Sequence, residues 1–251
     1  MSGSLTIVGL GPADEALVTP EVQAALASAT DVVGYIPYVA RVPDRDGLTK
    51  HASDNRVEID RSRHALQMAA NGKQVVVVSS GDPGVFAMAS AVFEALEAGP
   101  KFWRTLDIRV LPGITAMLAA AAKAGAPLGH DFCAINLSDN LKPWDLIEKR
   151  IRLAIEADFA CAFYNPRSKA RPAGFVRVLE VLRDVCEPER LITFARAVTT
   201  TDEAITTIPL QDARPEMADM KTVVLLGSSQ TRLVQREGMA PIVYTPRSVS
   251  V

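Results

Sequence analysis

Short apolar runs rich in β-branched residues alternate along the chain with longer stretches in which apolar positions recur every three or four residues. This is the pattern of strands alternating with amphipathic helices, and it predicts an α/β fold. Leu5–Val8 reads as a first strand. Thr19 as an N-cap, with Pro20 at the first helical position, predicts a helix to about Ala29. Asp31–Tyr35 reads as a second strand, and Asp60–Asn71 as a helix ended by Gly72. The valine run Val75–Val78 predicts a strand covered on both faces, as in a parallel sheet. From Gly84 onward, Val85, Phe86, Met88, Ala89, Val92, Phe93 and Leu96 keep helical spacing. A strand at Ile108–Leu111 then leads through Pro112-Gly113 into an alanine-rich helix over Ile114–Ala124.

The turn-forming stretch Gly125-Ala126-Pro127-Leu128-Gly129 marks a domain boundary and predicts domains over 1–125 and 126–251. In the second half, strands are predicted at Phe132–Leu137, Phe159–Phe163, Leu191–Ala195, Ala204–Ile208 and Thr222–Leu226, with helices near Trp144–Ala157 and Ala173–Val185. The last three strands follow one another without a long helix, which predicts a mixed sheet here against a mostly parallel one in the first half.

The 251 residues are 48% hydrophobic and 22% charged, enough apolar material for full cores. Lys and Arg number 27 against 29 Asp and Glu, a net charge of -2 that argues against a nucleic-acid partner. Cys133, Cys161 and Cys186 are odd in number and lack metal-ligand spacing, which predicts neither a disulfide framework nor a zinc site and suits a reducing compartment. No leader is expected before the first strand, and no apolar run reaches the ~20 residues of a membrane span, so the expected location is the cytoplasm.

Candidate chemistry gathers in three turns that follow strands. Gly9-Leu10-Gly11-Pro12-Ala13-Asp14 lacks the third glycine of a dinucleotide fingerprint and the Gly-Lys-Ser/Thr of a phosphate loop. Ser79-Ser80-Gly81-Asp82-Pro83-Gly84 reads first as a capped helix start, with Asp82 as N-cap, and alternatively as a ligand turn at a carboxyl sheet edge. Pro112-Gly113-Ile114-Thr115-Ala116 is the third. Each has a bland reading as an ordinary turn, but three on the same ends of three strands can wall one site. His51, His64 and His130 show no metal-ligand spacing, and no GxSxG elbow is present. His130-Asp131 reads either as an acid/base pair or as a structural histidine. Basic residues crowd 41–63 and 167–171, either as solvated surface or as an anion-binding rim.

Gly9-Leu10-Gly11-Pro12, Ser80-Gly81-Asp82-Pro83-Gly84, Pro112-Gly113-Ile114-Thr115-Ala116 and Thr222-Val223-Val224-Leu225-Leu226-Gly227 together resemble the tetrapyrrole methylases. Gly34-Tyr35-Ile36-Pro37-Tyr38, Leu137-Ser138-Asp139 with Pro143-Trp144, and Phe163-Tyr164-Asn165-Pro166-Arg167-Ser168 resemble the branch that methylates precorrin-3B at C17 and contracts its ring in cobalamin biosynthesis. The resemblance covers nearly the whole chain. It implies two α/β domains with an active-site cleft between them, S-adenosyl-L-methionine as methyl donor, S-adenosyl-L-homocysteine as product, and a homodimer. It places the cofactor on Pro12, Ser80, Gly81, Asp82, Val85, Thr115, Ala116, Tyr164, Ala197 and Thr222. Ring contraction needs proton transfers, for which Asp82, His130 and Asp139 are candidates, and the carboxylates of the substrate point to Arg41, Arg56, Arg167 and Arg171. Two departures stand out: Ala13 where the family has a glycine, and Arg196-Ala197-Val198-Thr199, which lacks the usual glycine and proline. A different corrin intermediate, a diphthine or RNA substrate, and a noncatalytic tetrapyrrole carrier are the alternatives.

Overall fold

The apolar runs become strands and the periodic stretches helices, in a computed structural model that describes residues 3–54, 57–168 and 171–248. Its contacts divide the chain into two units, Met1–Thr115 and Ala116–Val251. In the first unit, β1 (Ser4–Gly9), α1 (Pro20–Ser28), β2 (Asp31–Tyr35), α2 (Ile36–Val39), β3 (Thr49–Ser53), α3 (Glu58–Ala70), β4 (Gln74–Ser79), α4 (Met88–Ala98) and β5 (Asp107–Leu111) follow in order. The five strands form one fully parallel sheet, ordered β3-β2-β4-β1-β5. The valine run behaves as its composition demands. Val75 and Val77 pack with α3 and α4, while Val76 and Val78 join a second cluster with Val22 of α1. Thr19 caps α1 by accepting the Val22 N–H at 3.3 Å.

The second unit contains α5 (Ala116–Ala124), β6 (Gly125–Ala126), β7 (Phe132–Asn136), α6 (Trp144–Glu156), β8 (Ala160–Tyr164), α7 (Gly174–Val185), β9 (Leu191–Arg196), β10 (Ala204–Pro209), β11 (Thr222–Leu226), β12 (Arg232–Arg236) and β13 (Met239–Tyr244). Its main sheet, β10-β9-β11-β8-β7, is mixed: only β7 and β8 pair in parallel. Helices α6 and α7 cover one face around Phe163, Phe175, Ile147 and Leu182.

Three features differ from the sequence reading. The alanine-rich helix packs on β10, β11 and β13, so α5 belongs to the second unit, and the division falls at Thr115 rather than at Gly125. The stretch read as a break instead supplies β6, which pairs with β13 in a small third sheet, β12-β13-β6. Finally, α4 begins at Met88 instead of Gly84, because Phe86 takes a left-handed φ of +53° that interrupts helical geometry. Among the described residues, no helix is long and apolar enough to cross a membrane.

At the start of β2, Asp31 is only 3% exposed. Burial pushes its carboxyl pKa up, but hydrogen bonds from His51 (2.8 Å) and Thr30 (2.7 Å) and the charge of Lys73 (3.7 Å) outweigh it and hold the pKa below the ordinary value of 3.8. A folded-state pKa below the unfolded one contributes stability above pH 3.8 and loses it as pH falls through the folded value. Asp31→Asn is therefore expected to cost about 1–3 kcal/mol near neutral pH and to flatten the acid limb of the stability curve, read by urea melts from pH 7 downward.

Candidate active site

Parallel strands place all their carboxyl ends on one edge, and β4, β1 and β5 are neighbours, so the turns after Ser79, Gly9 and Leu111 gather there. Gly11 and Gly81 exchange two backbone hydrogen bonds, at 3.1 and 2.9 Å. A Cβ on Gly9 would lie 2.3 Å from the Gly81 carbonyl oxygen, and one on Gly113 would lie 2.2 Å from the same atom. These two glycines are therefore required by turn-on-turn packing rather than by close approach of a ligand. Asp82 completes the lock. Its Oδ1 accepts the Gly84 N–H at 2.8 Å and its Oδ2 accepts the Gly113 N–H at 3.1 Å. It staples two turns together and is not a helix cap; the Met88 N–H at the start of α4 goes instead to Ser79 Oγ at 3.3 Å.

Arg41, expected on a substrate rim, gathers the carbonyls of the first turn. Its Nη2 donates to Leu10 O at 2.6 Å and Ala13 O at 3.4 Å, and its Nη1 to Gly11 O at 3.1 Å and Pro12 O at 3.4 Å. Burial holds its pKa below the usual guanidinium value, against the opposing pull of Tyr38 and Glu15. The left-handed residue of this turn is Gly11 (φ +65°), and Ala13 takes no positive φ, so the missing glycine costs no backbone strain. Pro12, Ser80, Gly81, Asp82, Val85 and Thr115 thus stand along one sheet edge, with Thr115 buried.

Deeper on the same unit lies Arg61, which the sequence does not single out. It is 4% exposed and donates Nε to Ser53 Oγ at 2.8 Å, with Nη2 on the Ser53 and Asp54 carbonyls. Burial holds its pKa below the ordinary value, and burial likewise raises that of the neighbouring Tyr38 hydroxyl. The motif Gly34–Tyr38 thus lies at the end of β2, on the same unit as the partly buried Arg41 and the buried Arg61, which fix loops there.

The second unit repeats the convergence with different strand directions. Because β11 runs antiparallel to β8 and β9, its first residue, Thr222, pairs with Arg196 at the end of β9. Tyr164 ends β8, and Ala197 follows β9, so Tyr164, Ala197 and Thr222 share one edge although they come from distant parts of the chain. Ala116 joins them, since the next residue, Met117, donates its N–H to Tyr164 Oη at 3.0 Å. Ala197 occupies φ +47° and Asn165 φ +54°. Where the sequence lacks the usual glycine, the alanine adopts the left-handed conformation anyway, a strain of about 1–3 kcal/mol of the kind that collects at binding sites. The Thr222 hydroxyl is committed to Asp219 Oδ1 at 2.8 Å, and its backbone N–H to Asp219 O at 3.2 Å.

Of the remaining candidates, Asp139 and Arg171 come together at 3.7 Å on this edge, and Arg171 also donates to Leu137 O at 3.3 Å. Asn136 Oδ1 ties the same loops, accepting from Ser138 N and Asn165 Nδ2. Arg167 donates to Pro172 O at 3.4 Å. Arg56 lies outside the described residues. His130 precedes β7, at the opposite end of that strand from Asp139, and its ion pair is with Asp131 at 3.7 Å. A five-residue strand separates these ends by roughly 16 Å, so the structure does not bring His130 and Asp139 together.

The ten residues expected on the cofactor hold one carboxylate, no cation and four hydroxyl groups. This set fits S-adenosyl-L-methionine in charge, since its sulfonium and ammonium groups meet no cation among these residues.

Comparison with known proteins identifies the family. The family profile of the Tetrapyrrole (Corrin/Porphyrin) Methylases matches residues 4–214. A precorrin-3B C(17)-methyltransferase of Sinorhizobium sp is 51% identical over 247 residues, covering 98% of this chain and 97% of that protein. A probable cobalt-factor III C(17)-methyltransferase of Salmonella typhimurium is 36% identical, covering 96% of this chain and 99% of that protein. Among solved structures, the methyltransferase CobJ superposes with a TM-score of 0.93 at 69% identity, covering 98% of this chain and all of that one. A Thermus thermophilus uroporphyrin-III C-methyl transferase complexed with S-adenosyl homocysteine shares the fold at 21% identity and a TM-score of 0.68 over 90% of this chain and 97% of that one. With the profile spanning most of its length and a relative matched almost end to end, the chain belongs to the tetrapyrrole methylases.

Proposed function

We propose that the protein transfers a methyl group from S-adenosyl-L-methionine to C17 of precorrin-3B and contracts the macrocycle to precorrin-4, a step of cobalamin biosynthesis. The observation that carries this reading is the 51% identity, over nearly the full length of both chains, to a protein of that name. The cofactor brings a methyl group already activated by its sulfonium, so the chain need not create a strong nucleophile; no triad is required of it. Its work is to fix geometry and exclude water, contributions worth ~7–11 kcal/mol at most.

In the first unit the locked turns at Gly11, Gly81 and Gly113 offer Pro12, Ser80, Asp82, Val85 and Thr115 to the cofactor as a rigid surface. In the second, Ala116, Tyr164, Ala197 and Thr222 offer backbone groups from one edge. Arg167 and Arg171 are assigned to substrate carboxylates, since bidentate guanidinium contacts suit them. Asp139, held by Arg171, is assigned to proton handling during contraction, in which the ring carbon bearing oxygen is expelled and kept as an acetyl group. Asp82 is given to positioning, because both its oxygens are occupied by backbone N–H groups. A homodimer in the cytoplasm completes the reading, and sedimentation equilibrium of the purified chain tests the dimer.

Purified protein incubated with S-adenosyl-L-methionine and precorrin-3B is expected to yield a methylated, ring-contracted product by mass and absorption spectra. Failure in a sample that binds the cofactor overturns the reading. A probable cobalt-factor III C(17)-methyltransferase is also similar, at 36% identity against 51% for the precorrin-3B enzyme, so cobalt-factor III forms the second arm of the assay.

A further inference from the structure

Cys133 on β7 and Cys161 on β8 are register partners in neighbouring parallel strands. Their Sγ atoms lie 3.6 Å apart, and both side chains face the core formed by α6 and α7. Adjacent strands run about 4.8 Å apart, within the ~4.4–6.8 Å span of Cα atoms that a disulfide bridges. The two sulfurs differ in access. Cys161 is fully buried, whereas Cys133 is half-buried on β7, the edge strand of its sheet. Cys133 is thus the thiol expected to meet a small oxidant first, with Cys161 beside it.

We propose that Cys133 and Cys161 form a reversible oxidation site, in which a hydroperoxide takes two electrons from the pair and leaves a disulfide. The Cys133 sulfur attacks the peroxide O–O bond, which breaks. One oxygen stays on sulfur as a sulfenic acid, and the other leaves as hydroxide and takes up the thiol proton to become water. The Cys161 sulfur then attacks the Cys133 sulfur. The S–S bond forms, the S–O bond breaks, and the departing hydroxyl leaves with the Cys161 proton as a second water. In sum, two thiols and one hydrogen peroxide give one disulfide and two waters, the sulfurs being oxidised and the peroxide oxygens reduced.

The thiols are electrostatically suited to these unequal roles. Their mutual hydrogen bond holds the Cys133 thiol below its ordinary pKa, while that bond and burial push Cys161 above it, so Cys133 is the more readily ionised of the two. Cys186, the third thiol, is raised to about 11, chiefly by burial, and serves as the internal control.

The test is to treat the reduced full-length protein with hydrogen peroxide and to read intact mass and a non-reducing peptide map. The expected result is loss of two hydrogens, a linked peptide joining Cys133 to Cys161, and full reversal by dithiothreitol. In Cys161→Ala, Cys133 is expected to gain two oxygens as a sulfinic acid that dithiothreitol does not reverse, while Cys186→Ala behaves as wild type. Oxygen added to wild-type Cys133 without a linked peptide, a linkage through Cys186, or no change under peroxide that oxidises free cysteine would each overturn the proposal. The wild-type map decides the matter even if a variant folds poorly.

Discussion

Gly113→Ala is expected to abolish saturable binding of S-adenosyl-L-methionine and to lower stability by about 1–3 kcal/mol, the usual cost of forcing atoms into a filled site. The added methyl would sit 2.2 Å from the Gly81 carbonyl oxygen and 2.6 Å from that of Gly9. Both are backbone atoms of the other two turns, so no side-chain rotation relieves the overlap, and the three turns must separate. Separation also pulls the Gly113 N–H from Asp82 Oδ2, which undoes the staple. Gly84→Ala is the contrast, because its Cβ would meet only Asp82 Oδ1, at 3.2 Å. That variant is expected to bind the cofactor within a few-fold of wild type. Isothermal titration with the cofactor and urea midpoints measure both effects. If Gly113→Ala binds as tightly as wild type, the locked turns are not what shapes the cofactor surface.

How much of this is legible in the sequence depends on whether the signal is local. The valine run and the capped start at Thr19 carry their own structure, because burial on both faces and an N-cap are set by neighbours in sequence. The β12–β13 hairpin is missed because β12 is polar and mostly exposed and β13, though apolar, carries Pro241, although Glu237-Gly238, with Gly238 at φ +67°, is a recognisable two-residue turn. The role of Asp82 is misread for a different reason. Asp-Pro after a strand looks like a helix cap, and only the third dimension reveals that one oxygen reaches the Gly113 N–H, 31 residues away. The same holds for Thr222, whose place beside Arg196 follows from strand pairing alone. His130-Asp131 reads either as an acid/base pair or as a structural histidine, and only the fold shows that it lies at the end of β7 opposite Asp139. Sequence motifs thus name the turns correctly but do not say which of their polar groups remain available to a ligand.

Arg41 carries that distinction furthest. Arg41→Ala is expected to cost about 1.5–3 kcal/mol of stability, the range for hydrogen bonds to a charged donor. It is also expected to weaken cofactor binding roughly tenfold to a hundredfold, equivalent to ~1.4–2.8 kcal/mol. The guanidinium spans four consecutive carbonyls, from Leu10 to Ala13, and turns them all toward itself. Without it these oxygens lose a shared partner, and the turn that bears Pro12 no longer has one conformation. Arg41→Lys is expected to recover little, since a single ammonium group cannot reach four acceptors arranged around a planar fork. A contact to substrate carboxylates would behave otherwise: lysine would retain part of the attraction, cofactor affinity would stay unchanged, and KM for the tetrapyrrole alone would rise. Measuring cofactor affinity by titration and both KM values in the lysine variant separates the two roles. A rise confined to the tetrapyrrole KM would return Arg41 to the substrate rim.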